Sequence, residues 1–126
     1  MLELESTVLL GFHNPLTSSG ISLICEVLGY KADSVSSVEE MLARIGQREY
    51  QGYIMDLNLG NRNSPNIEPA IRVYEALKEQ IESKRAKFLG VATNLQALAA
   101  ARERDILSMD KSDLDTQTLS KFLKGE

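Results

Sequence analysis

The chain has 126 residues, 43% of them apolar and 25% charged, and a net charge of −4. That composition is the globular norm and excludes a disordered chain, and the length suits one domain whose core needs no staple. The acidic balance and the lack of a Lys/Arg cluster exclude an electrostatic footprint for nucleic acid.

The opening, MLELEST, is acidic and lacks the basic region of a signal peptide. No apolar run reaches the ~20 residues needed to cross a bilayer. A cytoplasmic protein without membrane contact is expected, folded as a single domain over residues 1–126. No repeat, low-complexity tract or interdomain linker interrupts it.

STVLLGF is a short continuous apolar run, as expected of a strand buried on both faces. NPLTSSGISLICEVLGY opens with a Pro-containing turn and continues as a helix, with Ile21, Ile24 and Leu28 at helical spacing and Gly29 as its C-cap. Cys25 lies in this run. It is the only cysteine, so no internal disulfide forms, and a buried thiol in a reducing compartment is expected. KADSV is a weak strand. SSVEEMLARIGQREY begins with Ser37 as N-cap and Glu40 three residues on, a capping box, and Val38, Met41, Leu42 and Ile45 form one face.

GYIMDL is the third strand and GNRNSPN a polar loop. IEPAIRVYEALKEQIESK is a helix with Pro69 in its first turn, where proline is tolerated, and with Ala70, Tyr74, Leu77 and Ile81 inward. KFLGVAT is the fourth strand. NLQALAAARERD is a short helix with Leu95, Leu98 and Ala99 inward, expected to be the shortest of the set. ILSMD is the fifth strand, and KSDLDTQTLSKFLKGE the last helix, with Leu119, Phe122 and Leu123 as its face.

Strand and helix thus alternate five times. That order implies a parallel sheet covered on both faces through right-handed crossovers. The fold class expected is α/β, a flavodoxin-like doubly wound (βα)5 domain with strand order 2-1-3-4-5. Ligands of such sheets lie beyond the carboxyl ends of the strands, at the switch point between strands one and three. That rule gathers Phe12, His13, Asp56, Thr93 and Lys111.

On YIMDLNLG at the third strand, FLGVATN at the fourth and ILSMDKSDL at the fifth, the chain resembles the receiver domain of two-component response regulators over essentially its whole length. The resemblance implies that Asp56 accepts a phosphoryl group from a histidine kinase, that Thr93 bonds a phosphoryl oxygen and that Lys111 supplies a cation. The chemistry asks for these types together. A carboxylate attacking a phosphoryl group brings negative charge toward negative charge, so transfer depends on in-line positioning and on cations that spread the charge. In the family the second cation is Mg²⁺, a hard ion that takes oxygen ligands in octahedral geometry.

The sequence departs from the family there. Aligning VLLGFHNP on the family's acidic pair puts Phe12 and His13 where two carboxylates are usual. Asp56 and the backbone carbonyl of Asn58 remain as metal ligands, and Glu3 and Glu5 lie at the wrong end of the strand. A weak or absent Mg²⁺ site is expected, since one carboxylate supplies little charge. The loop after Asp56 is longer than usual. The segment between Thr93 and Lys111 is shorter by about one helical turn. Ser108 stands where the family often carries an aromatic switch residue.

Each residue also has an ordinary structural role. Asp56 caps a turn, Lys111 is solvated while SDLD caps the last helix, and Thr93 is an N-cap. His13 bonds a backbone carbonyl or a carboxylate, or contributes to a soft metal site of the Zn²⁺, Ni²⁺ or Cu²⁺ type. Phe12 plugs the vacated metal pocket. GFHNPL also resembles the D-x-H-x-x-G loop of cobalamin-binding domains, but Gly11 stands for the Asp and Leu16 for the Gly. Neither G-x-G-x-x-G nor a P-loop occurs, and no Ser-His-Asp set is suggested.

The expectation is an atypical receiver: a signalling module and not an enzyme, with output by protein contact because no domain follows Glu126. The partners expected are a sensor histidine kinase or another signalling protein, or a second copy of the chain. The alternatives are a pseudo-receiver that binds its partner without phosphorylation and a cobalamin or other small-ligand carrier of the same fold.

Overall fold

The computed structural model describes residues 6–60 and 64–125. Glu3, Glu5, residues 61–63 of the third loop and Glu126 lie outside the described residues. Five strands, β1 (Thr7–Gly11), β2 (Lys31–Val35), β3 (Gly52–Asp56), β4 (Lys87–Ala92) and β5 (Ser108–Asp110), alternate with five helices, α1 (Pro15–Val27), α2 (Val38–Gln47), α3 (Glu68–Glu82), α4 (Leu95–Glu103) and α5 (Thr116–Lys124). All strand pairs are parallel and the sheet order is β2-β1-β3-β4-β5, the doubly wound order expected.

The three inner strands, β1, β3 and β4, bury both faces, while β2 and β5 at the edges are partly exposed, and the alternation of the inner strands sorts the core into two layers. Leu9, Tyr53, Met55 and Phe88 pack with Met41 of α2, Ala70, Val73 and Leu77 of α3, and Ala97 and Ala101 of α4. Val8, Leu10, Ile54, Leu89 and Val91 pack on the other side with Ile21 and Cys25 of α1 and Leu119, Phe122 and Leu123 of α5. Two glycines make room for side chains of the first layer. A Cβ on Gly11 would run into Met41, and one on Gly90 into Leu57.

Helix ends follow the local chemistry. The Ser37 hydroxyl accepts from the Glu40 N–H at 3.1 Å. The Glu40 carboxylate reaches back to Ser36 N–H at 3.3 Å, one residue beyond the ideal capping box. The C-cap of α1 is Leu28, one residue before the expected Gly29, which follows it with φ +92°, the left-handed position that favours glycine. Pro69 stands in the first turn of α3 as expected, and Val73 joins that helix's buried face.

The reading of α4 is corrected. Its buried residues are Ala97 and Ala101, while Leu95 is 76% exposed and Ala99 is exposed; of the three expected inward, Leu98 alone packs partly against the core. The larger side chains misled: a short helix lies close on the sheet through its small residues. α4 has nine residues, as does α5, so it shares the shortest length. β5 is also shorter than expected: it begins at Ser108, and Ile106 is buried ahead of it. Among the described residues, no helix is long and apolar enough to cross a membrane.

Candidate functional site

β3 is the central strand, and Asp56 is its last residue. The chain turns directly after it: the Leu59 N–H donates to the Asp56 carbonyl at 3.2 Å, and Gly60 takes φ +88°. The carboxylate is therefore held at the carboxyl edge of the sheet, yet Asp56 is only 4% exposed. A buried charge needs partners. The Lys111 Nζ lies 2.7 Å from Oδ1, and the His13 backbone N–H donates to Oδ2 at 3.2 Å. Oδ1 has no hydrogen bond of good angle, so its contact with Lys111 is an ion pair.

Lys111 opens a 3-10 turn, Lys111–Asp113, after β5. Asp110 fixes that turn by accepting from the Ser112 N–H at 2.9 Å and its hydroxyl at 2.7 Å. These bonds, the hydroxyl first, hold the Asp110 carboxyl below its ordinary range. Asp115 caps α5 by accepting from the Thr118 N–H at 2.7 Å. The SDLD segment therefore caps the last helix as expected, and Lys111 still reaches Asp56. The ammonium also lies 5.8 Å from the Phe12 ring centroid, within cation–π range.

Thr93 follows β4 and is exposed. It is not the helix cap. Asn94 is, with its side chain accepting from the N–H groups of Gln96 at 2.9 Å and Ala97 at 3.0 Å. Thr93, Asp56, Lys111, His13 and Asn58 together line one cavity of about 320 Å³, with Asn14 and Gly60. The switch-point rule thus gathers four of its five residues there. The fifth, Phe12, is 1% exposed and belongs to the core layer under α1 and α5.

Sequence reasoning missed two contributions. Asn14 caps α1 and lines the cavity, and the Asn-Pro pair at that point was the available signal. The hold of the His13 backbone on Asp56 had no signal, because any residue supplies an N–H.

The donor set does not fit Mg²⁺. Among the described residues, Asp56 is the only carboxylate lining the cavity, and a lysine ammonium stands on one of its oxygens. The ligand expected from Asn58 is its backbone carbonyl; its side chain adds none, because it donates to the Ser64 carbonyl at 2.9 Å. Among the described residues no group of three or more His, Cys, Asp or Glu could hold a metal ion, so His13 gains no companions for a soft site either. What the cavity does offer is a carboxylate, an ammonium and a hydroxyl lining one space.

No protein-family model and no curated protein matches the sequence. The structure matches solved receiver domains. A CheY-like response regulator receiver domain from Methanospirillum hungatei aligns with TM-score 0.73 at 17% identity, covering 97% of this chain and 93% of that one. The receiver domain of a sensor histidine kinase from Pseudomonas aeruginosa, with a magnesium ion in its active-site cleft, aligns with TM-score 0.70 at 18% identity and 97% of both chains. A CheY-like receiver domain from Methylobacillus flagellatus gives TM-score 0.66 at 19% identity, covering 97% and 98%. The chain has the fold of the response regulator receiver domain.

Proposed function

We propose that this chain is a signalling receiver module and not an enzyme. Asp56 is its phosphoryl acceptor from a histidine kinase, and its output is contact with a protein partner. The observation that carries this reading is the buried Asp56 carboxylate at the end of the central strand, paired to Lys111 at 2.7 Å in a cavity shared with Thr93.

An Asp56 oxygen attacks the phosphorus, and the bond to the donor's leaving atom breaks with its electron pair. Lys111 offsets the added charge, and the Thr93 hydroxyl donates to a phosphoryl oxygen. No step is assigned to a metal, because the cavity lacks the carboxylates to hold one. Borohydride converts an aspartyl phosphate to homoserine. After treatment with a small phosphodonor, that conversion is expected at Asp56 alone, and labelling at any other residue defeats the assignment.

The second reading is a module that binds its partner without phosphorylation. The observation favouring it is the environment of the acceptor: Phe12, at one position of the family's acidic pair, is buried in the core. Under that reading Asp56→Ala changes partner affinity by less than about tenfold, or 1.4 kcal/mol of coupling.

A further inference from the structure

Helix α1 carries an apolar stripe that none of the described residues covers. Leu16, Leu23 and Val27 are 81%, 63% and 76% exposed. With exposed Gly20 they follow the spacing of one helix face, while Ser18, Ile21 and Cys25 are buried. A single exposed leucine is ordinary; three large aliphatics on one stripe form a patch.

Gly20 is the sharper observation. It sits inside the helix, where glycine is the worst residue short of proline. A Cβ there would meet nothing within 4 Å, so nothing inside one copy requires the glycine. What a missing side chain permits is the close approach of another backbone.

We propose that α1 is a self-association face on which two copies pair antiparallel, crossing at Gly20. Charge selects both the occupant and the direction. Glu26 is the only charged residue of α1 and lies in its last turn. Antiparallel pairing brings it to the partner helix's amino end, where the helix dipole is positive and the His13 side chain is exposed. Parallel pairing would set Glu26 against Glu26.

The crossing places Leu16 of one copy beside Leu23 of the other. A groove of about 690 Å³ flanks the stripe, with Pro15, Ser19, Ser22 and Leu23 on its α1 side, and gives the incoming Leu16 a seat. Among the described residues, His13 and Glu40 are the only titratable ones lining that groove. A strongly charged partner finds little counter-charge there, whereas a second uncharged stripe fits. The inference does not depend on phosphorylation of Asp56.

Sedimentation equilibrium of the whole chain over a dilution series tests it. Wild type is expected to be a dimer that dissociates on dilution. Leu23→Lys is expected to raise the dissociation constant by at least about tenfold. Its unfolding midpoint, measured where both proteins are monomeric, stays unchanged because the side chain is exposed. Gly20→Gln is expected to raise that midpoint, since glutamine is a better helix former. It is also expected to weaken self-association by at least about tenfold. A glycine with no contact role would give the first effect without the second. Wild type that remains monomeric at the highest soluble concentration overturns the proposal, as does a dimer that survives both substitutions unchanged.

Discussion

The ammonium of Lys111 stands 2.7 Å from the buried Oδ1 of Asp56. The two residues come from the ends of β3 and β5, with β4 between them in the sheet. The pair closes the carboxyl edge of the sheet across three strands. Its asymmetry sets its energetics: the Asp56 side chain is 6% exposed and that of Lys111 is 31% exposed.

Lys111→Met should therefore strand a charge. Breaking a fully buried pair costs about 3–5 kcal/mol. The solvent access of Lys111 lowers that here to about 2 kcal/mol. Adding Asp56→Asn to Lys111→Met should recover most of the loss, because the uncompensated charge goes with it. Urea midpoints of the three variants measure this. A double variant no more stable than Lys111→Met would show that the pair is not what the lysine supports.

The architecture was legible because hydrophobic period and turn chemistry agree along the chain. Continuous apolar runs such as Val8–Leu10 and Ile54–Met55 announce strands buried on both faces, and Ser37 with Glu40 announces a helix start. The meeting of the candidate site residues was legible from the fold: Asp56, Thr93 and Lys111 line one cavity. The α4 face was not legible, because helical spacing alone does not say how close a helix lies to its sheet. Leu95 and Leu98 outweighed the alanines that make the contact. The His13 backbone bond to Asp56 was invisible for a different reason, since main-chain donors leave no mark in a sequence.

Restoring the acidic pair tests the account of the metal. Phe12→Asp with His13→Asp should create Mg²⁺ binding, because charge and oxygen ligands both return. Phe12 is buried in the core, so the metal-free variant should lose about 3 kcal/mol. Mg²⁺ should then raise its unfolding midpoint, since the ion binds only the folded chain. Calorimetric titration and thermal unfolding with and without Mg²⁺ measure both effects. Tight Mg²⁺ binding by the unaltered protein would contradict the reading of its donors.

Burial, and secondarily the charge of Glu26, pushes the Cys25 thiol up from an ordinary 9.0 to about 11. The sign follows. Below 9.0 the thiol is neutral in both states and burying it carries no ionisation penalty. Between 9.0 and about 11 the unfolded chain releases a proton that the folded chain keeps, so stability falls as pH rises. Cys25→Ala should remove that part of the alkaline loss, read from urea midpoints across the same range. At about pH 8 the native thiol should react with iodoacetamide only as fast as the protein opens. Rapid labelling of the native state would place Cys25 at the surface.

The central claim is that Asp56 accepts a phosphoryl group with Lys111, and not a divalent ion, as its charge partner. Intact mass after incubation with acetyl phosphate, in Mg²⁺ and in excess chelator, tests it most directly. The account predicts a partial single-phosphoryl adduct of the same extent in both conditions, absent from Asp56→Asn and reduced in Lys111→Met. An adduct that forms only with Mg²⁺, or no adduct in either condition, would contradict it.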